Sequence, residues 1–133
     1  MKLLLDTHAI LWFWWDDPRL GSQAREDIAN ASNQKLVSIA TPWEVAIKVS
    51  LKKLDLGGPF PGFFREYMQR SFLEWLPLED RHFDILVSLP FHHRDPFDRL
   101  LIAQAIAEDV PIVSREKVFD SYGVRRIWQE RLS

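Results

Sequence analysis

A chain of 133 residues is long enough to bury one substantial core and short for two, so a single domain over residues 1–133 is expected. Hydrophobic residues make up 47% and prolines number 8, a globular composition rather than that of a disordered tail. The lack of cysteine excludes a disulfide framework, a thiolate zinc site and a cysteine nucleophile, and the formal net charge of −2 excludes a globally basic nucleic-acid binder.

The chain opens on KLLLD (2–6), which reads as a buried strand, and runs into a helix over 8–15. This N-terminus looks superficially like a secretory leader. Asp6 and His8 interrupt its apolar stretch, however, and no small-residue cleavage site follows. No apolar run reaches membrane-spanning length, and with no cysteine the expectation is a cytoplasmic, soluble protein with no membrane partner. The aromatic run WFWW (12–15) cannot turn every ring inward from one helix, because neighbours lie about 100° apart. An exposed patch at Trp12, Trp14 and Trp15 is therefore expected, suited to a protein partner.

A helix over 22–31 follows, with Ser22 as its cap, then strand 35–40 and helix 42–54. Gly and Pro mark a loop at 56–62, before helix 61–72, strand 74–79 and helix 79–89. The loop 89–96 leads into helix 96–108, strand 111–115, a short helical turn near 116–121 and strand 124–128. Strands that are apolar throughout and alternate with helices describe an α/β fold, a parallel sheet of about five strands covered on both faces. Lys48, Lys52 and Lys53 near one helix face, and Arg115, Lys117, Arg125, Arg126 and Arg131 near the C-terminus, read first as solvated charge.

Acids recur where strands end and helices begin. Asp6 closes the first strand, Glu44 follows the second, Asp95 and Asp98 open the helix at 96, and Glu116 follows the fourth strand. Thr41-Pro42 and Asp95-Pro96 look like a cap with proline at the first helical position, which puts Glu44 and Asp98 at the capping-box position. Lys48, four residues beyond Glu44, suits a helix-surface ion pair with it. Capping accounts for each acid taken singly, but not for several carboxylates brought to one sheet edge, nor for Asp6 at the end of a buried strand. In a parallel sheet Asp6, Glu44 and Asp98 share one crevice, with Asp95 and Glu116 nearby. Oxygen donors gathered this way select a hard cation, Mg²⁺ or Mn²⁺, and suit metal-assisted phosphodiester hydrolysis.

LLLDTHAILW, TPWEVAIK, HRDPFDRLLIAQA and VSREKVFDSYGV resemble, in order and spacing, the motifs of PIN-domain ribonucleases, most of all the toxin half of bacterial VapBC toxin–antitoxin pairs. The resemblance spans nearly the whole chain. It implies a three-layer α/β/α sandwich, Mg²⁺- or Mn²⁺-dependent endoribonuclease activity, a homodimer, and inhibition by a cognate antitoxin. Carried over motif by motif, Asp6, Glu44 and Asp98 are the metal ligands and, with Glu116, the catalytic acids. Asp95 and Ser114 take secondary roles. Lys48, Arg99 and Arg115 are the candidates for contact with the RNA backbone. The family's fourth motif usually reads Thr-Arg-Asp, whereas here it is Ser114-Arg115-Glu116, one methylene longer. A misplacement near 1 Å can cost roughly a hundredfold in rate. The alternative is thus a weakened module that binds RNA or antitoxin without cutting.

The remaining candidates carry less. His8 reads as a packing or capping residue, and His92 and His93 as solvated, with no partner at zinc-ligand spacing. Phosphoaspartyl enzymes want a second Asp two residues after the first, where this chain has His8.

Overall fold

The computed structural model describes residues 1–130, so Arg131 lies outside the described residues. Its centre is β1 (Lys2–Leu5), the short strand built from the leucine run. Leu3, Leu4 and Leu5 are all 0% exposed, which shows that this strand is covered on both faces. Leu3 and Leu5 pack with Ile10, Ala24 and Ile28, whereas Leu4 packs with Leu101, Ile102 and Ala105 on the other side.

The first face is formed by α1 (Thr7–Trp14) and α2 (Ser22–Ala29), and β2 (Gln34–Ser38) then pairs with β1. Next come α3 (Ala40–Ser50), α4 (Phe63–Ser71) and β3 (Glu74–Leu76). The second face belongs to α5 (Asp80–Ser88) and α6 (Pro96–Glu108), followed by β4 (Ile112–Val113), a 3₁₀ helix Lys117–Tyr122 and β5 (Arg126–Ile127). The five strands run parallel in the order β3-β2-β1-β4-β5. This is the α/β architecture expected from the alternation of strands and helices.

Register aligns the strand ends. Leu5 pairs with Val37 on one side and Val113 on the other, so Asp6, Ser38 and Ser114 follow those partners as one row. The Asp6 N–H extends the ladder to the Val113 carbonyl at 3.0 Å. Ser38 and Ser114 are both 0% exposed. The carboxyl ends of the three central strands therefore present a polar row inside the protein.

Two expectations are corrected. α3 begins at Ala40, because the chain turns directly after β2 and the Ser38 hydroxyl accepts the Ala40 N–H at 3.2 Å. Thr41 is thus inside the helix rather than its cap, and Pro42 stands within the first turn, where its missing N–H has no partner to lose. The aromatic run is also not an exposed patch. Trp12 is buried against Trp128, with Arg19 and Arg115 over its ring, while Trp14 stacks on Tyr67 and donates from Nε1 to Ser71 Oγ at 3.0 Å. Trp15 is half-buried in the cluster around Leu11, Val45 and Phe64. The rings go inside because α1 is packed on more than one side, by the sheet cluster and by residues of α3 and α4. Among the described residues, no helix is long and apolar enough to cross a membrane.

Candidate active site at the carboxyl edge of the sheet

Asp6 leaves β1 and at once caps α1, its Oδ1 accepting the Ala9 N–H at 2.9 Å. A cap therefore does account for its position, contrary to the reading from sequence. It does not account for its energetics. Burial is the main cause that pushes the Asp6 carboxyl up to about 7, with the charges of Asp98 and Glu116 adding to it. Hydrogen bonds from the Ser114 hydroxyl and the Ala9 amide pull the other way without winning. A surface cap carries no such burden.

Glu44 is not a capping-box acid, since its helix starts earlier than TPWE suggests. Its side chain is buried, accepts the Thr7 hydroxyl at 2.5 Å and pairs with Lys48 Nζ at 2.6 Å. The ion pair with Lys48 is the one expected at i,i+4. Thr7, at the first position of α1, is a neighbour that spacing does not single out: it lies 37 residues from Glu44 in sequence.

The start of α6 divides the labour between two acids. Asp95 is the cap, accepting the Phe97 and Asp98 amides at 2.9 Å each, with Pro96 behind it. Asp98 does not reach back to the cap. His93 Nε2 lies 2.8 Å from Asp98 Oδ2, and the Arg94 N–H donates to His93 Nδ1, which leaves the ring proton on Nε2 to be given to Asp98. His93 is therefore not solvated. Burial pushes the Asp98 carboxyl up to about 6, followed by the charges of Asp95 and Glu44, against the opposing His93 hydrogen bond. Glu116 is exposed, and its backbone N–H donates to Ser114 Oγ at 3.0 Å.

The basic residues separate. Lys48 is committed to Glu44, and Arg115 is exposed with its guanidinium 4.8 Å from the Trp12 ring centre. Arg99 is buried and donates to the carbonyls of Pro90 at 2.9 Å and Leu89 at 3.3 Å. It braces the loop that carries His93, and its donors are spent on those carbonyls rather than presented at the surface, as the expected backbone contact would need. His8 is exposed, its ring 5.2 Å from that of Trp12.

Asp6, Glu44, Asp95, Asp98 and Glu116 thus come to one edge of the sheet, close enough for their charges to act on one another. Their donor atoms are oxygens throughout, and the charges of neighbouring acids add to the burial that raises the carboxyls of Asp6 and Asp98. That chemistry fits a hard divalent cation. Among the described residues, the three acid or imidazole ligand atoms that lie within 4.8 Å of one another belong to a different set, Glu79, His82 and Glu108. There His82 Nδ1 accepts the Glu79 N–H, Nε2 meets Glu108 Oε2 at 3.0 Å, and Arg81 bonds both acids. This set is a clamp between α5 and α6 with its own cation. At the strand ends, Glu44 and Asp98 are turned instead to Lys48 and His93. At the opposite edge of the sheet, an open groove of about 940 Å³ is lined by Phe13, Ile28, Lys35, Arg70 and Phe72 among others.

Residues 3–124 match the PIN domain family, and the chain belongs to that family. Among solved structures it is similar to VapBC2 from Rickettsia felis bound to a DNA fragment from their promoter, at 17% identity and a TM-score of 0.70, covering 96% of this chain and 99% of that one. It is also similar to FitAB bound to an IR36 DNA fragment, at 19% identity and a TM-score of 0.61, covering 94% and 93%. At these identities the likeness is one of fold. No curated protein matches the chain.

Proposed function

We propose that this protein is a divalent-metal-dependent endoribonuclease, the toxin of a toxin–antitoxin pair, working in the cytoplasm as a homodimer. The observation that carries the reading is the meeting of Asp6, Glu44 and Asp98, from three separate elements, at one sheet edge, where burial and neighbouring acids raise the carboxyls of Asp6 and Asp98. PIN family membership and the resemblance to VapBC and FitAB structures support the toxin assignment.

In this reading Asp6, Glu44 and Asp98 hold Mg²⁺ or Mn²⁺, which when bound supplies charge stabilisation at a phosphodiester and an activated water. Asp6, delivered by a rigid strand and steadied by Ala9 and Ser114, orients the water or takes its proton. Thr7 fixes one oxygen of Glu44, and Lys48 limits the repulsion among the acids. Asp95 keeps α6 in place beneath Asp98. Arg115, exposed beside Ser114, is the remaining candidate for backbone phosphate. The antitoxin is assigned to the groove at the opposite edge, where Phe72 is 86% exposed beside apolar Phe13 and Ile28.

The test is incubation of purified, antitoxin-free protein with a structured RNA pool, in Mg²⁺, Mn²⁺ or EDTA, alongside Asp98→Asn. Metal-dependent cutting that falls on the order of a hundredfold or more in the variant is expected, beyond the loss typical of outer-sphere partners. A second reading, a binding module that no longer cuts, draws on the exposed, longer Glu116 and on the Lys48 and His93 contacts that occupy two acids. Folded protein inactive with every metal, and revived by Glu116→Asp, favours it.

A further inference from the structure

His93 has no task in the reaction proposed above, yet both of its ring nitrogens are engaged. The Arg94 N–H donates to Nδ1 at 3.1 Å, which leaves the ring proton on Nε2, and Nε2 stands 2.8 Å from Asp98 Oδ2. The ring is part-buried beside the fully buried Phe119, with centroids 6.2 Å apart. The loop that carries it is held through its backbone. The His93 N–H donates to the Tyr122 hydroxyl, and Arg99 binds the carbonyls of Leu89 and Pro90. An ordinary surface ion pair accounts for a close approach of imidazole and carboxylate, but not for a ring fixed at its far nitrogen, its face and its backbone together. The contact also takes one carboxylate oxygen only. Among the described residues, no hydrogen bond is made to Asp98 Oδ1.

We infer that His93 is the positioning residue of Asp98: by donating to Oδ2 it fixes the rotation of the carboxylate and leaves Oδ1 for the cation. The inference rests on the divalent-metal reading of the site. Burial and the charges of Asp95 and Glu44 favour a protonated Asp98, which is a poor ligand, and the His93 hydrogen bond acts in the opposite direction. An imidazole that donates from Nε2 while accepting at Nδ1 does this without a positive charge, whereas the ammonium of Lys48 at Glu44 repels an incoming metal. The two contacts on the site acids are thus unlike in kind, and that of His93 supports the site rather than blocking it. Hydrogen-bond partners of metal-binding carboxylates are worth about 10–100-fold in metal affinity.

The experiment is Mn²⁺ binding to purified, antitoxin-free protein, read from the loss of the free-ion electron paramagnetic resonance signal, with no cleavage involved. His93→Ala is expected to weaken Mn²⁺ binding about tenfold or more. His93→Phe, which keeps a ring beside Phe119 but has no donor, should weaken it as much, and His93→Gln, whose amide N–H replaces the lost donor, should restore most of it. Thermal melts in EDTA report folding, and each variant should stay folded, because Tyr122 and Arg99 hold the loop through backbone groups that the substitutions leave in place. Wild-type or tighter Mn²⁺ affinity in His93→Phe overturns the inference and leaves the metal site standing. Equal losses in His93→Gln and His93→Phe overturn it too, since the donor would then be irrelevant. Wild-type protein that binds no Mn²⁺ rejects the metal reading and the inference with it.

Discussion

Asp6 combines two tasks that oppose each other in energy. As a cap it stabilises α1, and as a buried carboxylate near other acids it is costly to ionise. The folded protein keeps a proton on Asp6 up to about pH 7, while the unfolded chain releases it near 3.8. Between those values the folded state binds more protons, so stability falls as pH rises from about 4 to about 7 and stays low above. Thermal melts in EDTA should show that slope. Asp6→Asn should lessen it, with Asp98 keeping a part between about pH 4 and pH 6, and be more stable than wild type at pH 8, by no more than about 4 kcal/mol, the two converging towards pH 4. A wild type whose melting point rises steadily from pH 4 to pH 7 would contradict this assignment.

At the scale of elements, the loop before α6 is held by two side chains on other elements. Arg99 binds the carbonyls of Leu89 and Pro90, and the Tyr122 hydroxyl donates to Pro90 while accepting the His93 N–H at 2.9 Å. Phe91 adds its ring, 3.9 Å from the Arg99 guanidinium. This bracing brings His93 to Asp98. Tyr122→Phe should cost about 1 kcal/mol in chemical denaturation and speed amide exchange at 91–94, since it orphans the His93 amide. Arg99→Lys should do more damage, because an ammonium cannot reproduce the planar fork. An exchange rate at 91–94 unchanged in both variants would show that the loop is held by something else. Asp95→Ala should cost about 1 kcal/mol through loss of the cap and leave the Asp98 side chain chemically intact.

For the molecule as a whole, parallel strands give the sheet two unlike edges. Carboxylates gather where the strands end, and the open groove lies where β2 and β3 begin. In the proposed function, RNA and antitoxin are assigned to opposite edges, which makes the two separable by mutation. Phe72 is exposed at a positive φ of 56°, an unusual conformation for a bulky residue. Phe72→Glu should leave thermal stability within about 0.5 kcal/mol, as for other surface changes, and weaken antitoxin co-purification about tenfold. RNA cleavage should be untouched. Loss of cleavage in that variant would mean that the two edges are coupled.

The strand–helix alternation, the burial of the leucine run and the meeting of Asp6, Glu44 and Asp98 at one edge follow from local patterns. Apolar periodicity decides which faces are covered, and a parallel sheet leaves little choice about where strand-end residues go. Proline and an Asx residue likewise located the start of α6, where the cap signal is contiguous. The same signal misled at Thr41, because the Ser38 hydroxyl starts α3 two residues sooner. Only the tertiary structure decided that Asp6 is a cap, that Thr7 joins Lys48 at Glu44, that His93 serves Asp98 and that Arg99 faces inward. It also decided that the tryptophans of α1 are enclosed, since helices α3 and α4 close over rings that helical geometry alone would leave in water. For Thr7 and for the tryptophans the reason is the same. A residue's preferred conformation is written in its neighbours along the chain, but its partner depends on groups tens of residues away, such as Glu44 for Thr7, and those meet only after the sheet has brought them together.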